Sequence, residues 1–111
     1  MTEDSFEVKR TVPRYPFIAE VEVDELNSGS RMTARISDLS VRGCYVDTLN
    51  PLSLGTEVRL RIRHIDHACE LPGTIIYVHP GYGMGILFGS ASSPQLEILK
   101  NWLTDLATTK G

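Results

Sequence analysis

Two short groups of polar residues have the chemical types needed to hold a ligand that carries phosphates and bases. Arg10 and Arg14 are four positions apart near the start of the chain, and Asp38, Ser40 and Gly43 lie together further on. The planar guanidinium group of arginine pairs bidentately with phosphate or with guanine O6 and N7, and its face stacks on a base. Lysine lacks this fork, so the arginine pair favours a ligand that contains both phosphate and guanine.

The second group supplies hydrogen-bond acceptors, which the arginine side chains lack. Asp38 offers a carboxylate that accepts the N–H donors of the guanine pairing edge, Ser40 is a small donor and acceptor, and Gly43 leaves the backbone open to a flat ring. A structural interpretation competes with this one. Asp38 and Ser40 would then stabilise a turn through side-chain to backbone hydrogen bonds, and Gly43 would supply a positive φ.

The first group lies on a segment that is not expected to be helical. Pro13 and Pro16 oppose a helix, so residues 1–16 are predicted to form a flexible, extended arm that carries both arginines. The domain proper is then expected over residues 17–107, followed by a tail at 108–111. Because the arm lies outside the domain, a ligand that also touches Asp38 and Ser40 would order it and reshape one surface.

The secondary-structure elements expected to position these two groups are mainly strands. Residues 58–63 place three apolar side chains on one side and three arginines on the other, the period of a strand with one solvated face. Alternating or β-rich runs of this kind occur at 17–24, 31–37, 44–49, 58–63, 71–78 and 84–88. Short turns and no helices separate them, which indicates an antiparallel sheet. Closing that sheet into a small barrel would remove its exposed edges.

A helix is predicted to end the chain. From Ser93 onward the apolar residues follow a helical stripe, with Ser93 expected as the N-cap and Pro94 as the first helical residue. The stripe is expected to pack on the barrel, with a partner-binding helix as the alternative. The fold class predicted is therefore all-β, a six-stranded antiparallel barrel with one C-terminal amphipathic helix.

Composition limits the classes of function. The net charge of −3 argues against a general nucleic-acid binder, which would carry a basic field. No run approaches the roughly 20 apolar residues that cross a bilayer, and the acidic start does not resemble a signal peptide. We therefore expect no membrane span and a cytoplasmic location. Cys44 and Cys69 lie in apolar stretches and are expected to be small core residues, not a disulfide.

The sequence resembles the PilZ domain family, whose signature is an R-x-x-x-R arm followed by [D/N]-x-S-x-x-G. Both elements are intact, and Gly83 to Phe88 looks like the glycine-rich last strand of that family. The resemblance covers about residues 9–106. It implies a six-stranded barrel that binds the bacterial second messenger cyclic di-GMP and signals to a downstream protein, without catalysis or another cofactor. The ligand contacts it implies are Arg10, Arg14, Asp38, Ser40 and Gly43, with Lys9 as a weaker candidate.

Other functions fit the residues less well. Ser40 has no motif-placed histidine to act as its base, and His64, His67 and His79 fall in predicted turns, so an enzyme is not expected. His64, His67 and Cys69 lack a fourth ligand at a suitable spacing for zinc. Two binding alternatives stay open: a scaffold that contacts only proteins, and a small barrel that binds single-stranded nucleic acid. The latter would use the row Arg59, Arg61 and Arg63.

Overall fold

The computed structural model describes residues 12–110, with side chains described as far as Thr108. Lys9 and Arg10 therefore lie outside the described residues. The elements are β1 (Tyr15–Glu25), β2 (Arg31–Leu39), β3 (Gly43–Asp47), β4 (Glu57–His64), β5 (His67–His79), β6 (Gly83–Phe88) and α1 (Ser93–Lys110).

The six strands form one closed antiparallel barrel. Their order around it is β1, β2, β3, β6, β5 and β4, and β1 pairs with β4 to close the ring. The barrel therefore consists of two three-stranded meanders, β1-β2-β3 and β4-β5-β6, which meet at a β1–β4 seam and a β3–β6 seam. The predicted fold class is confirmed.

The core fills the barrel with one face of every strand. On β4, Val58, Leu60 and Ile62 are fully buried, as their alternation with the arginines predicted. Cys44 and Cys69 are free thiols buried in this core, which confirms their expected role. Burial raises the pKa of both thiols, that of Cys69 to about 11.

The arginine row of β4 faces an acidic row on β1. In the sheet register Arg59 pairs with Asp24, Arg61 with Glu22, and Arg63 with Glu20. Arg63 Nη2 lies 3.8 Å from Glu22 Oε2, and Arg61 pairs with Glu70 on the neighbouring strand. Exposed pairs of this kind contribute only about 0–1 kcal/mol each to stability. They nevertheless place carboxylates beside the row, which reduces its positive potential.

The helix packs against the barrel, as predicted. Leu99 is fully buried, and the Trp102 ring lies 5.6 Å from the Phe17 ring of β1 and 5.5 Å from that of His64, measured between ring centres. The apolar stripe thus packs on the barrel from Leu99 to Leu106, while Leu96 lies at its edge. No helix within residues 12–110 is long and apolar enough to span a membrane.

The boundaries of the helix differ from those predicted. The carbonyl of Ser92 accepts a hydrogen bond from the Leu96 N–H at 3.0 Å, so Ser92 is the N-cap and the expected cap at Ser93 was wrong by one residue. Pro94 is then the second helical residue, still among the first four, whose N–H groups have no partner within the helix. The helix continues to Lys110, through most of the segment expected as a tail.

The strand boundaries also differ from those predicted. β1 begins at Tyr15, inside the segment expected as an arm. His64 and His67 end β4 and begin β5 around a two-residue turn, and His79 ends β5, so the placement of these histidines in turns was wrong. Extended pairing here continues to the edge of the barrel, beyond the apolar residues that signal a strand in the sequence.

We predict that Leu99→Ala lowers the free energy of unfolding by about 2–5 kcal/mol, because it leaves a cavity between α1 and the barrel. Urea denaturation followed by circular dichroism measures this change. The control is Lys100→Ala, an exposed neighbour on the same helix, expected to change stability by no more than about 0.5 kcal/mol. Equal stability of both variants would mean that the helix does not contribute to the core.

Candidate ligand-binding site

The arm and the second motif meet at one ion pair. Arg14 Nη2 donates to Asp38 Oδ2 at 2.7 Å. The register of the strands explains the meeting, since Pro16 pairs with Asp38 and Arg14 lies just beyond the end of that ladder. The hydrogen bond with Asp38 raises the pKa of Arg14 above its already high ordinary value, so the guanidinium is charged at any physiological pH. More than half of the Arg14 side chain (56%) is exposed to solvent.

The Ser40 hydroxyl is committed to the turn between β2 and β3. It accepts hydrogen bonds from the backbone N–H groups of Arg42 and Gly43, each at 3.1 Å, and it donates to the Gly43 carbonyl at 3.3 Å. These three bonds use the full capacity of a hydroxyl group. The turn interpretation is therefore confirmed for Ser40, whose buried side chain shapes the 40–43 turn.

Gly43 is needed for close packing and not for a special backbone angle. Its φ is not positive, so the expectation of a positive φ at this glycine was wrong. A Cβ atom here would lie 2.2 Å from the Ile86 carbonyl oxygen. Any side chain at Gly43 would thus push β3 away from β6, at the seam between the two meanders.

A groove of about 350 Å³ lies beside the Arg14–Asp38 pair. Its walls include all three residues of the second motif, Asp38, Ser40 and Gly43, and the side chains of Arg14 and Tyr77. A wider hollow of about 590 Å³ continues from it past Tyr45 and His79, and the two share Arg14, Asp38 and Tyr77. The two motifs therefore converge on one continuous surface, with Arg14 and Asp38 in the middle.

Two tyrosines form an aromatic surface next to the ion pair. The rings of Tyr45 and Tyr77 are stacked with their centres 6.1 Å apart, and the Tyr45 hydroxyl lies 2.9 Å from His79 Nδ1. A Cβ atom at Gly83 would come within 2.6 Å of the Tyr45 ring, and one at Gly85 within 2.3 Å of the Tyr77 ring. The rings thus lie flat over β6, where the two glycines leave room for them.

These residues form a row across four strands. Asp38 pairs with Tyr45, Tyr45 with Gly85, and Gly85 with Tyr77, so the row runs through β2, β3, β6 and β5. Bulges lie next to two of its members, between Ile36 and Asp38 on β2 and between Ile75 and Tyr77 on β5. A bulge shifts the inward and outward alternation by one residue. Each one turns the following side chain, Asp38 or Tyr77, from the core to the outer face.

The aromatic surface was not predicted from the sequence, although part of its signal was present. Tyr45 follows the buried Cys44, and Gly83 and Gly85 flank the buried Met84, so strand alternation places all three on the outside. Tyr77 had no such signal, because the bulge on β5 cannot be read from the period of its apolar residues.

Within residues 12–110, no group of three or more His, Cys, Asp or Glu side chains is arranged to hold a metal ion. Arg10 and Lys9 lie outside the described residues, so their contacts with the groove stay predictions.

Comparison with known families identifies the fold. A sequence model of the PilZ domain matches residues 9–105, which is most of the chain and includes both motifs. The chain belongs to the PilZ domain family. No curated protein sequence matches it closely enough to serve as a relative.

Several solved structures share the architecture. The PilZ domain of CeSA from a cellulose-synthesizing bacterium is 25% identical, with a TM-score of 0.68, and the match covers 86% of this chain and 98% of that one. The PilZ domain of YcgR from Escherichia coli, solved with c-di-GMP, is 14% identical with a TM-score of 0.76, over 92% and 94% of the two chains. MotI/DgrA, the inhibitor of motility of Bacillus subtilis, is 15% identical with a TM-score of 0.73, over 91% of this chain and 52% of that one. At 14% and 15% identity, these last two likenesses concern the fold alone.

We predict that Gly85→Ala destabilises this PilZ domain by about 1–3 kcal/mol, because the new methyl group must displace the Tyr77 ring. Adding Tyr77→Ala should remove most of that cost, since the ring is the obstacle. A double-mutant cycle of urea denaturation measures the coupling, expected to be on the order of 1 kcal/mol. Strict additivity of the two substitutions would show that the ring does not lie over Gly85 in solution.

Proposed function

We propose that this PilZ domain is a non-catalytic receptor for cyclic di-GMP. The observation that carries the proposal is the 2.7 Å contact between Arg14 and Asp38, which joins the two halves of the family signature at the edge of one groove. The PilZ domain of YcgR was solved with c-di-GMP, and the likeness in fold makes the same ligand the first to test here. Chemistry supports the choice independently, because arginine and carboxylate are complementary to phosphate and to the guanine pairing edge.

The Arg14–Asp38 ion pair is weak enough for each side chain to replace its contact with the other by a contact with a ligand. Both side chains are solvated, at 56% and 29% exposure, so their mutual attraction is worth no more than about 1 kcal/mol. A charge-assisted hydrogen bond to a ligand is worth about 1.5–3 kcal/mol. Arg14 can therefore turn to a phosphate or to guanine O6 and N7, while Asp38 accepts from the guanine N–H groups, at little cost to the fold.

The tyrosine surface supplies a stacking partner for a base. Tyr77 lines both parts of the groove, and its ring is held flat over Gly85 before any ligand arrives. Stacking of a base on an aromatic side chain contributes about 1–3 kcal/mol and needs no particular base. In this arrangement Arg14 and Asp38 select guanine, and Tyr77 adds affinity.

Ser40 and Gly43 affect ligand binding indirectly, because they determine the conformation of the 40–43 turn. The Ser40 hydroxyl fixes the Arg42 and Gly43 N–H groups, and Gly43 allows β3 to reach β6. Arg10 and the weaker candidate Lys9 would contact the ligand from the arm. In an extended chain Arg10 lies roughly 13 Å before Arg14, so the two arginines can hold separate parts of one cyclic dinucleotide. Closure of the arm over the ligand would then change the surface offered to a downstream protein.

The rival functions lack support from comparable geometry. As the nucleophile of an enzyme, Ser40 would need a free hydroxyl, and this one is buried and bonded to the turn backbone. As a nucleic-acid surface, the β4 arginines would need to be unpaired, and they face Glu20, Glu22 and Asp24. A scaffold that contacts only proteins is distinguished from a receptor by direct measurement of nucleotide binding.

We predict that titration calorimetry detects binding of cyclic di-GMP to the wild-type protein and that Arg14→Ala weakens it at least about tenfold. Losing a charge-assisted bond of about 1.5–3 kcal/mol is expected to have this effect, since 1.4 kcal/mol corresponds to a factor of ten. Arg59→Ala is the matched control, because it removes one arginine from the outer face of β4 without touching the groove.

Circular dichroism would establish that all three proteins are folded before their affinities are compared. Wild type that releases no heat at millimolar nucleotide would contradict the receptor and favour the protein-only scaffold. Equal loss of affinity in Arg14→Ala and Arg59→Ala would indicate a general charge effect in place of a site. Salt-sensitive binding of single-stranded RNA that Arg59→Ala abolishes would instead support the nucleic-acid alternative.

A further inference from the structure

A second groove lies on the other side of the 40–43 turn, between that turn, the end of β6 and α1. Its volume is about 250 Å³ and most of its lining is apolar: Val41, Leu71, Leu87, Phe88, Leu96 and Leu99. Val41 is 46% exposed and Leu87 41%, so two large apolar side chains on its rim face solvent. We call this surface the helix-side groove.

The wall of the helix-side groove also carries a positive charge. Arg42 lines it, is exposed, and forms no ion pair with any residue in the range 12–110. The other arginines near the barrel surface, by contrast, have acidic neighbours. An occupant that matches this groove would therefore combine an apolar side chain with a carboxylate.

The N-terminal segment has this composition, and the residue that follows it lines the neighbouring groove. Val12, the first residue described, lines the groove beside Arg14 and Asp38, which we call the ligand groove. Arg42 and Leu87 line both this groove and the helix-side groove. Upstream, Phe6 and Val8 alternate with Glu7, and Glu3 and Asp4 precede them. In an extended chain Phe6 and Val8 share one face, and six residues span about 20 Å. Phe6 can thus reach past the turn from Val12.

We propose that residues 3–8 dock in the helix-side groove, with the Phe6 ring between Val41, Leu87 and Leu96 and the acidic side chains next to Arg42. Burying an aromatic side chain of this size covers the exposed apolar rim. The acidic residues of the segment complement Arg42, the one cation among the described residues that line the groove, and attachment to the same chain favours this segment over that of a second copy.

This docking would prepare the ligand site, and in that respect it rests on the proposed function. Between Phe6 and Arg14 the segment would be held at both ends, and Arg10 lies in the stretch between them. A segment restrained in this way loses less conformational freedom when a ligand orders it, which raises affinity without any new ligand contact.

The test measures docking in the absence of nucleotide, with a nitroxide spin label attached to Ser5→Cys. Burial of Cys44 and Cys69 directs the label to the new cysteine. We expect the label to broaden the methyl signals of Val41, Leu87 and Leu96 in NMR spectra, and reduction of the nitroxide to restore them. Leu26 and Leu54, exposed in loops at the opposite end of the barrel, serve as internal controls that should not broaden.

Two substitutions probe the contact from both sides. Phe6→Ala in the labelled protein should abolish the broadening, because the anchor is lost. Leu96→Ser, on the helix wall of the groove and away from the ligand groove, should do the same. Persistence of the broadening in both variants would overturn the proposed contact.

The remaining outcomes separate this inference from the receptor role. Broadening in a mixture of labelled and isotope-enriched unlabelled protein would show that a second copy fills the groove, and would overturn the proposal. Unbroadened signals in a protein that binds cyclic di-GMP by calorimetry would also overturn it and leave the receptor intact. Broadening in a protein that binds no nucleotide would support docking and contradict the receptor.

Discussion

The seam between β3 and β6 is the contact on which the candidate site depends. It joins the two three-stranded meanders, and at Gly43 the backbones approach so closely that a Cβ atom would lie 2.2 Å from the Ile86 carbonyl oxygen. The row from Asp38 through Tyr45 and Gly85 to Tyr77 crosses this seam. Half of the site thus belongs to each meander, so the site forms only when the two meanders pair at this seam. Its residues are distant in sequence for the same reason.

The ion pairs of the surface divide into two kinds. Arg31 with Asp24, Arg35 with Asp47, and Arg63 with Glu22 each join neighbouring strands on the outer face. Arg14 with Asp38 instead joins a residue just before β1 to a bulged position at the edge of a groove. Separating this pair breaks no strand pairing, which fits the proposal that the contact gives way to a ligand. A weak pair would have a second advantage for the proposed receptor, since it holds the Arg14 guanidinium near Asp38 and needs little free energy to separate.

The sequence predicted the parts of the structure that depend on regular alternation. β4 follows its apolar pattern from end to end, and the two signature motifs marked Arg14, Asp38, Ser40 and Gly43, which the structure brings to one groove. Prediction failed where the alternation is interrupted. The bulges of β2 and β5 turn Asp38 and Tyr77 outward, and no local pattern of residue types announces such a shift. The roles of Ser40 and Gly43 were also incomplete, because only tertiary contacts reveal that one hydroxyl is fully bonded within a turn and that one glycine faces a carbonyl across the seam.

The 40–43 turn separates two surfaces with different chemistry, and its structure couples them. Ser40 and Gly43 face the ligand groove, Val41 faces the helix-side groove, and Arg42 lines both. The turn is held by the three hydrogen bonds of the Ser40 hydroxyl and by the Phe88 N–H, which donates to the Arg42 carbonyl at 2.8 Å. Arg42 is the one cation among the described residues that line the second groove, and it also lines the first, so a ligand in one groove and a segment in the other would both lie next to its guanidinium. Under the two proposals, occupancy of the two grooves is linked through this one side chain.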